Sequence, residues 1–206
     1  MAERPVPAAF VTEPDRLSEA AKAAYDDDRA ELGYVMNATR LWAHDAESLD
    51  DIFAVLGRLT ERAGLSDRDR GLLIAATAST LGDSVCSFAW GTRLAEASSP
   101  ELSAAVLEGR DDGLDDRERA LVGWARRVAR DPSAANEADV ARLRDVGYDD
   151  GQVHAVTTFV ALRLAFSTVN DALGARPDRQ LAEQAPAPVR SAVRYGRPVA
   201  PDLSTS

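Results

Sequence analysis

Residues 70–81, Arg-Gly-Leu-Leu-Ile-Ala-Ala-Thr-Ala-Ser-Thr-Leu, are apolar or small on nearly every face of a helix. A helix without a polar stripe does not lie on a surface; other elements must enclose it. Those elements must be helical too. The flanking segments repeat apolar residues at three- and four-residue intervals, and no strand pattern, hairpin turn or strand–helix–strand unit occurs. Aromatic residues make up 6% of the chain and alanine is abundant, which favours closely packed helices over a β-sandwich. The expected fold class is all-α, a multi-helix bundle.

Glycine, proline and capping residues divide the bundle. A first helix is expected over 15–32 after Pro14, ended by Gly33. Asn37 is a candidate N-cap for a short helix over 38–44, with Leu41 and Trp42 turned inward. Residues 46–63 carry an apolar stripe of Leu49, Ile52, Phe53, Leu56 and Leu59. Ser66 and Asp69 have the spacing of a capping box and open the buried helix, and Gly82 closes it. Further helices are expected over 84–97, from Ser99-Pro100-Glu101 to Leu107, over 114–129, over 136–146 and from Asp149 or Asp150 to Leu173. The last contains β-branched residues (Val156, Thr157, Thr158, Val160), but its length and unbroken register argue helix. It also contains Arg163 in apolar company. A buried arginine needs a partner, and Asp83 and Asp171 are the candidate carboxylates. The expected organisation is an N-terminal arm and first helix over 1–29, a helical domain over 30–175, and a Pro-rich strap over 176–206. The strap is expected on the surface or on a neighbouring subunit, with a short helix over 188–195.

Charge and residue counts exclude several functions. The formal net charge is −10, with no basic patch interleaved with aromatics, so nucleic acid is not an expected partner. No apolar run reaches the ~18 residues of a membrane span, so no membrane partner is expected. The N-terminal residues lack the basic and apolar regions of a signal peptide. The single cysteine allows no intramolecular disulfide and no zinc cluster built from cysteines, which suits a reducing cytoplasm. His44 and His154 have no ligand spacing, so no metal site is expected. No glycine-rich phosphate loop follows a strand, and no cofactor is expected.

The chemistry concentrates in Asp83-Ser84-Val85-Cys86-Ser87-Phe88-Ala89-Trp90-Gly91. Asp83 stands at an N-cap with Cys86 at the third helical position, where free N–H groups and the helix dipole favour a thiolate. The Asp83 carboxylate opposes that second negative charge. Trp90 lies four residues on, on the same helix face as Cys86. A lone cysteine in an alanine-rich helix is more often a small buried hydrophobe than a working thiol. His44, at the end of its helix, reads as a C-terminal charge or as a catalytic group.

Several pieces, in order, resemble the carboxymuconolactone decarboxylase and alkylhydroperoxidase D-like superfamily. They are Gly33-Tyr34-Val35-Met36-Asn37 with Leu41-Trp42-Ala43-His44; Leu65-Ser66-Asp67-Arg68-Asp69-Arg70; the cysteine helix; Leu114-Asp115-Asp116-Arg117-Glu118-Arg119-Ala120-Leu121; and Asn170-Asp171-Ala172-Leu173-Gly174. The resemblance covers residues 30 to 175. It implies an alkylhydroperoxidase D-like bundle that assembles as trimers or hexamers. It also implies, in antioxidant members, a relay of Glu, Cys-x-x-Cys and His. Here Cys86 aligns with the second, peroxidatic cysteine. Asp83 holds the place of the first, Trp90 that of the histidine and Gly71 that of the glutamate, so the two-cysteine relay is absent. The resemblance therefore implies a thiol-dependent peroxidase, with Cys86 and Asp83 as catalytic residues and Trp90, Phe88, His154 and Arg163 lining the substrate pocket. An external thiol would be the reductant. The alternatives are a cofactor-free acid–base enzyme on a small organic acid, and a non-catalytic oligomeric member.

Overall fold

The computed structural model describes residues 8–201. Eleven α-helices and no strand occur among them: α1 (Glu19–Leu32), α2 (Asn37–Trp42), α3 (Ala46–Ala63), α4 (Asp67–Leu81), α5 (Ser84–Ala97), α6 (Pro100–Leu107), α7 (Asp116–Arg130), α8 (Glu137–Asp145), α9 (Asp150–Ala172), α10 (Arg179–Gln184) and α11 (Ala187–Ala192). A single 3-10 turn, Pro132–Ala134, joins α7 to α8.

α4 is the central helix. It packs against α5, α6, α7 and α9, and Leu72, Leu73, Ala75 and Ala76 have no exposed surface. Its start is set by the capping box: the Ser66 hydroxyl accepts the Asp69 N–H, and the Asp69 carboxylate accepts the Ser66 N–H. Asp69 also holds the Arg117 guanidinium at 2.6 Å, which ties α4 to α7. The neighbouring Arg68–Glu118 pair at 2.5 Å repeats the link with the charges exchanged. Asp115 and Glu118 form a second capping box and start α7 at Asp116, two residues later than the sequence suggests.

Two other starts also move. α1 begins at Glu19 rather than at residue 15, because the Ser18 hydroxyl accepts the Ala21 N–H and a true cap outcompetes the first-turn proline. Asn37 is not the cap of α2. It is the first helical residue; its backbone N–H donates to Asp178 Oδ1 at 2.9 Å and its side-chain amide to the Arg176 carbonyl at 3.2 Å. A carboxylate more than a hundred residues away in sequence thus caps this helix. Phe53, placed in the stripe of α3, lies at its edge and is 44% exposed.

The C-terminal segment departs most from expectation. It lies on its own chain and completes the core: Leu181, Ala182, Ala185, Val189 and Ala192 belong to the same apolar cluster as α4. α11 lies against α5 and α6, so closely that a Cβ on Gly91 would stand 2.8 Å from Leu107 Cδ1 and 3.0 Å from Val189 Cγ1.

Asp178 gives a first testable consequence. It is 4% exposed, and its Oδ2 has no hydrogen-bond partner. Burial pushes its carboxyl up to about 6, with the backbone N–H of Asn37 pulling the other way. An acid whose pKa rises on folding weakens the fold wherever it is ionised in both states. That penalty is present above the folded value and fades as pH falls toward the ordinary carboxylate range. Asp178→Asn keeps the acceptor for Asn37 and removes the titration. The gain in stability of the wild-type chain between pH ~7 and ~4.5 should exceed that of the variant by about 2 kcal/mol, read from urea unfolding at the two pH values.

Candidate functional site

Gly82 ends α4 with φ of 81°, and its N–H returns to the Ala78 and Ser79 carbonyls. The chain then turns directly into α5. Asp83 is the N-cap, and its Oδ1 accepts the Cys86 N–H at 3.0 Å. Asp83 has no exposed surface and Cys86 is 3% exposed.

α9 faces this turn. Phe166, Ser167 and Asn170 stand three, four and seven residues after Arg163, and the four share one side of the helix. Its side chains reach α5 in antiparallel order, Arg163 to Trp90 and Cys86 and then Ser167 to Cys86. The Arg163 guanidinium lies 5.6 Å from the Trp90 ring centre, and its Nη2 donates to Cys86 Sγ at 3.4 Å. Ser167 Oγ follows at 3.8 Å from the same sulfur. Beyond them, Asn170 Oδ1 accepts the Trp42 indole N–H at 2.9 Å, and Trp42 stacks on Phe166 at 5.5 Å. Three buried polar atoms in this strip have no partner: Arg163 Nε, Asp83 Oδ2 and Asn170 Nδ2.

Arg163 therefore does not find the carboxylate that its burial called for. Among the described residues it makes no ion pair. Its neighbours are the sulfur and two aromatic rings, Phe166 at 4.9 Å and Trp90. Asp171 makes no ion pair with Arg163 either: Arg197 Nη2 donates to its backbone carbonyl, and burial and the Asp83 charge push the Asp171 carboxyl up to about 6 against the pull of the Arg197 charge.

The electrostatics also differ from the sequence reading. Burial pushes the Cys86 thiol far above its ordinary range, and the Asp83 charge pushes the same way; Arg163 and the Ser167 hydroxyl pull it down without prevailing. A helix N-terminus acts over a turn and is worth about a kcal/mol, whereas full burial of a charged group moves a pKa by several units. The resting sulfur is a thiol.

The structure brings Cys86, Asp83 and Arg163 together, and Trp90, which packs against the main core, joins them through its contact with Arg163. It does not bring the other two expected residues. Phe88 is buried in the main core, while Cys86 belongs to a separate cluster with Trp42, Leu49, Ala78 and Phe166. His154 is exposed on α9, nine residues before Arg163 and about 14 Å away along the helix axis. His44 is also exposed, with Nε2 2.8 Å from the Thr12 carbonyl. Ser167 and Trp42 are the additions. Ser167 was readable from its four-residue spacing to Arg163; Trp42 had no local signal linking it to the cysteine.

The end of the C-terminal strap roofs the site. The Tyr195 hydroxyl donates to Ser87 Oγ at 3.0 Å, and Ser84 Oγ donates to the Arg197 carbonyl at 2.9 Å. A separate cleft of about 850 Å³, lined by Tyr34, Asn37, Arg40 and Asp178 among others, contains none of these residues. Among the described residues no group of three His, Cys, Asp or Glu side chains could hold a metal ion, and no helix is long and apolar enough to cross a membrane.

No protein-family profile matches the chain, and no curated protein sequence matches it. Solved structures do. An alkylhydroperoxidase AhpD core, an uncharacterized peroxidase-related protein from Ralstonia eutropha JMP134, superimposes with a TM-score of 0.74 at 20% identity, over 93% of this chain and 100% of that one. An uncharacterized peroxidase-related protein from Silicibacter sp. TM1040 gives 0.75 at 21%, over 94% and 100%. The debrominase Bmp8, as a cysteine-to-alanine variant in complex with 2,3,4-tribromopyrrole, gives 0.66 at 12%, over 89% and 95%. At such identities the likeness is one of fold, and it extends over nearly the whole chain: the protein has the all-helical alkylhydroperoxidase AhpD-like fold.

Proposed function

We propose that the protein is a one-cysteine, thiol-dependent peroxidase with Cys86 as the nucleophile. The observation that carries this reading is the buried Arg163 guanidinium aimed at the only sulfur that can form a thiolate. A buried cation without a carboxylate costs several kcal/mol, and the rings of Phe166 and Trp90 offset only part of that when the sulfur is a neutral thiol. A thiolate offsets the rest. The likeness to peroxidase-related proteins supports the same reading.

In this reading Asp83 takes the thiol proton as substrate enters, in place of the missing relay, and Arg163 holds the thiolate. The sulfur attacks the distal peroxide oxygen. The O–O bond breaks, Cys86 becomes a sulfenic acid, and the alkoxide leaves with the proton held by Asp83. One external thiol condenses with the sulfenic acid and releases water. A second cleaves the mixed disulfide and restores Cys86. Peroxide is reduced to alcohol, and two thiols are oxidised to a disulfide.

The test is intact-mass analysis of the reduced protein after dilute cumene hydroperoxide, with a sulfenic-acid trap present and Cys86→Ser as control. One trap molecule bonded to Cys86 on the wild-type chain only, with the sulfenic oxygen lost as water, together with peroxide-dependent consumption of glutathione in the absence of the trap, is the expected result. A thiol that stays unmodified while the peroxide persists would overturn the reading. Assembly into trimers or hexamers is part of the same proposal, and a monomer in light scattering at micromolar concentration would remove that part.

A further inference from the structure

Trp90 is half-buried, and three guanidinium groups converge on its ring: Arg93 at 5.1 Å, Arg70 at 5.5 Å and Arg163 at 5.6 Å from the centre. Arg93 is exposed and Arg70 half-buried, whereas Arg163 is only 3% exposed and touches the sulfur. One indole therefore links a surface pair of cations to a buried cation at the thiol. From this arrangement we infer that Trp90 gates the way to Arg163 and the thiol that Arg163 touches, and that the route across it selects small, carboxylate-bearing substrates.

The charges support the anionic choice. Arg93 is paired with Glu31 at 2.7 Å and Arg70 with Asp67 at 3.1 Å; both carboxylates are more than half exposed. Exposed pairs of this kind are worth a fraction of a kcal/mol, so an arriving anion exchanges with them at little cost. Arg163 has no carboxylate to lose, and its Nε is left without a partner in the site. The net charge of the chain is −10, so the general field repels anions and only a local cluster of cations can admit one. Asp83, the nearest buried carboxylate, lies on the far side of Cys86 from Trp90 along α5 and so does not guard the entrance.

A Trp held by cation–π contacts suits a gate. Each exposed contact contributes about 0.5–1 kcal/mol, enough to keep the ring closed and little enough to let it swing. A carboxylate passing between Arg70 and Arg93 would end on Arg163, with its reactive end at the sulfur. This inference takes Cys86 to be the working thiol, as proposed above.

Its test needs no turnover. Cys86 is the only cysteine, so alkylation reports on it alone. Rates with iodoacetate and iodoacetamide, each divided by the rate with free glutathione, give the anion preference of the site. The expected result is a preference for iodoacetate in the wild-type chain, lowered about fivefold in Arg70→Gln/Arg93→Gln, the scale of one or two half-screened charges. Trp90→Ala should raise both rates about tenfold or more by opening access. In the arginine variant a general loosening would raise both rates together and leave the preference unchanged; for Trp90→Ala the control is Phe88→Ala, a truncation on the same helix in the main core, which loosens the fold without opening the gate and should raise the rates far less. A wild-type preference no greater than that of glutathione, or one that survives in the arginine variant, would overturn the anion route. Labelling of Trp90→Ala no faster than wild type would overturn the gate. Peroxide reduction failing while the anion preference stands removes the peroxidase reading alone; peroxide reduction without the preference removes this inference alone.

Discussion

Gly196→Ala is expected to lower the melting temperature by about 10 °C, a loss of about 3–4 kcal/mol in a chain of this size. Gly196 has φ of 73°, and a Cβ there would stand 2.3 Å from the Gly82 carbonyl oxygen and 2.9 Å from the Ser84 backbone nitrogen. The left-handed conformation alone costs alanine about 1–2 kcal/mol. The clash is with backbone at the junction of α4 and α5, which cannot yield as a side-chain tip can. The strap must lift instead. It then loses the Tyr195–Ser87 and Ser84–Arg197 hydrogen bonds, each worth about 1 kcal/mol. Gly109→Ala is the control: φ is 81° there as well, but nothing lies within 4 Å of the added carbon. The difference between the two variants isolates the contact of the strap with the cysteine helix. Equal losses would mean that the strap does not bear on the turn that places Asp83 and Cys86. The lifted strap should also speed alkylation of Cys86, because the roof of the site moves with it.

That roof shows where sequence reasoning stops. α3, α4, α5 and α6 were readable almost to the residue, since caps and periodicity are local signals: Ser66 with Asp69, Gly82, Asp83, and Ser99 before Pro100. α10 was not, and α11 was legible only as a helix over 188–195 where it spans 187–192, because six residues hold too few turns to show a period. Burial of Leu181 and Val189 holds them, and Val189 reaches the core only where Gly91 leaves room. The same division runs through the site. The bond from the Asp83 carboxylate to the Cys86 N–H spans three residues and was visible as a cap. Arg163 and Cys86 are 77 residues apart, and they meet only because α9 and α5 both pack on α4. The shift of the thiol divides in the same way. The helix dipole is a local property, but the burial that overrides it belongs to the whole fold.

Arg163→Met should separate stability from reactivity. Removing a buried cation that has no carboxylate partner relieves a desolvation cost, and the fold should keep its stability or gain about 1–2 kcal/mol. Met restores much of the volume and can pack its sulfur against Trp90 and Phe166, the rings that now flank the guanidinium. Reaction with peroxide should nevertheless fall about 100-fold, the scale of losing one preorganised donor to a developing anion. The sign on the thiol follows from its surroundings. Burial and Asp83 push the Cys86 pKa up while Arg163 pulls it down, so the variant should need higher pH than the wild type to alkylate. Arg163→Lys keeps the charge without the planar fork and should recover part of the rate and most of the pH profile. The opposite pattern, a loss of stability with an unchanged alkylation profile, would make Arg163 a packing residue between two aromatic rings. It would also withdraw the one observation that sets Cys86 apart from an ordinary buried thiol.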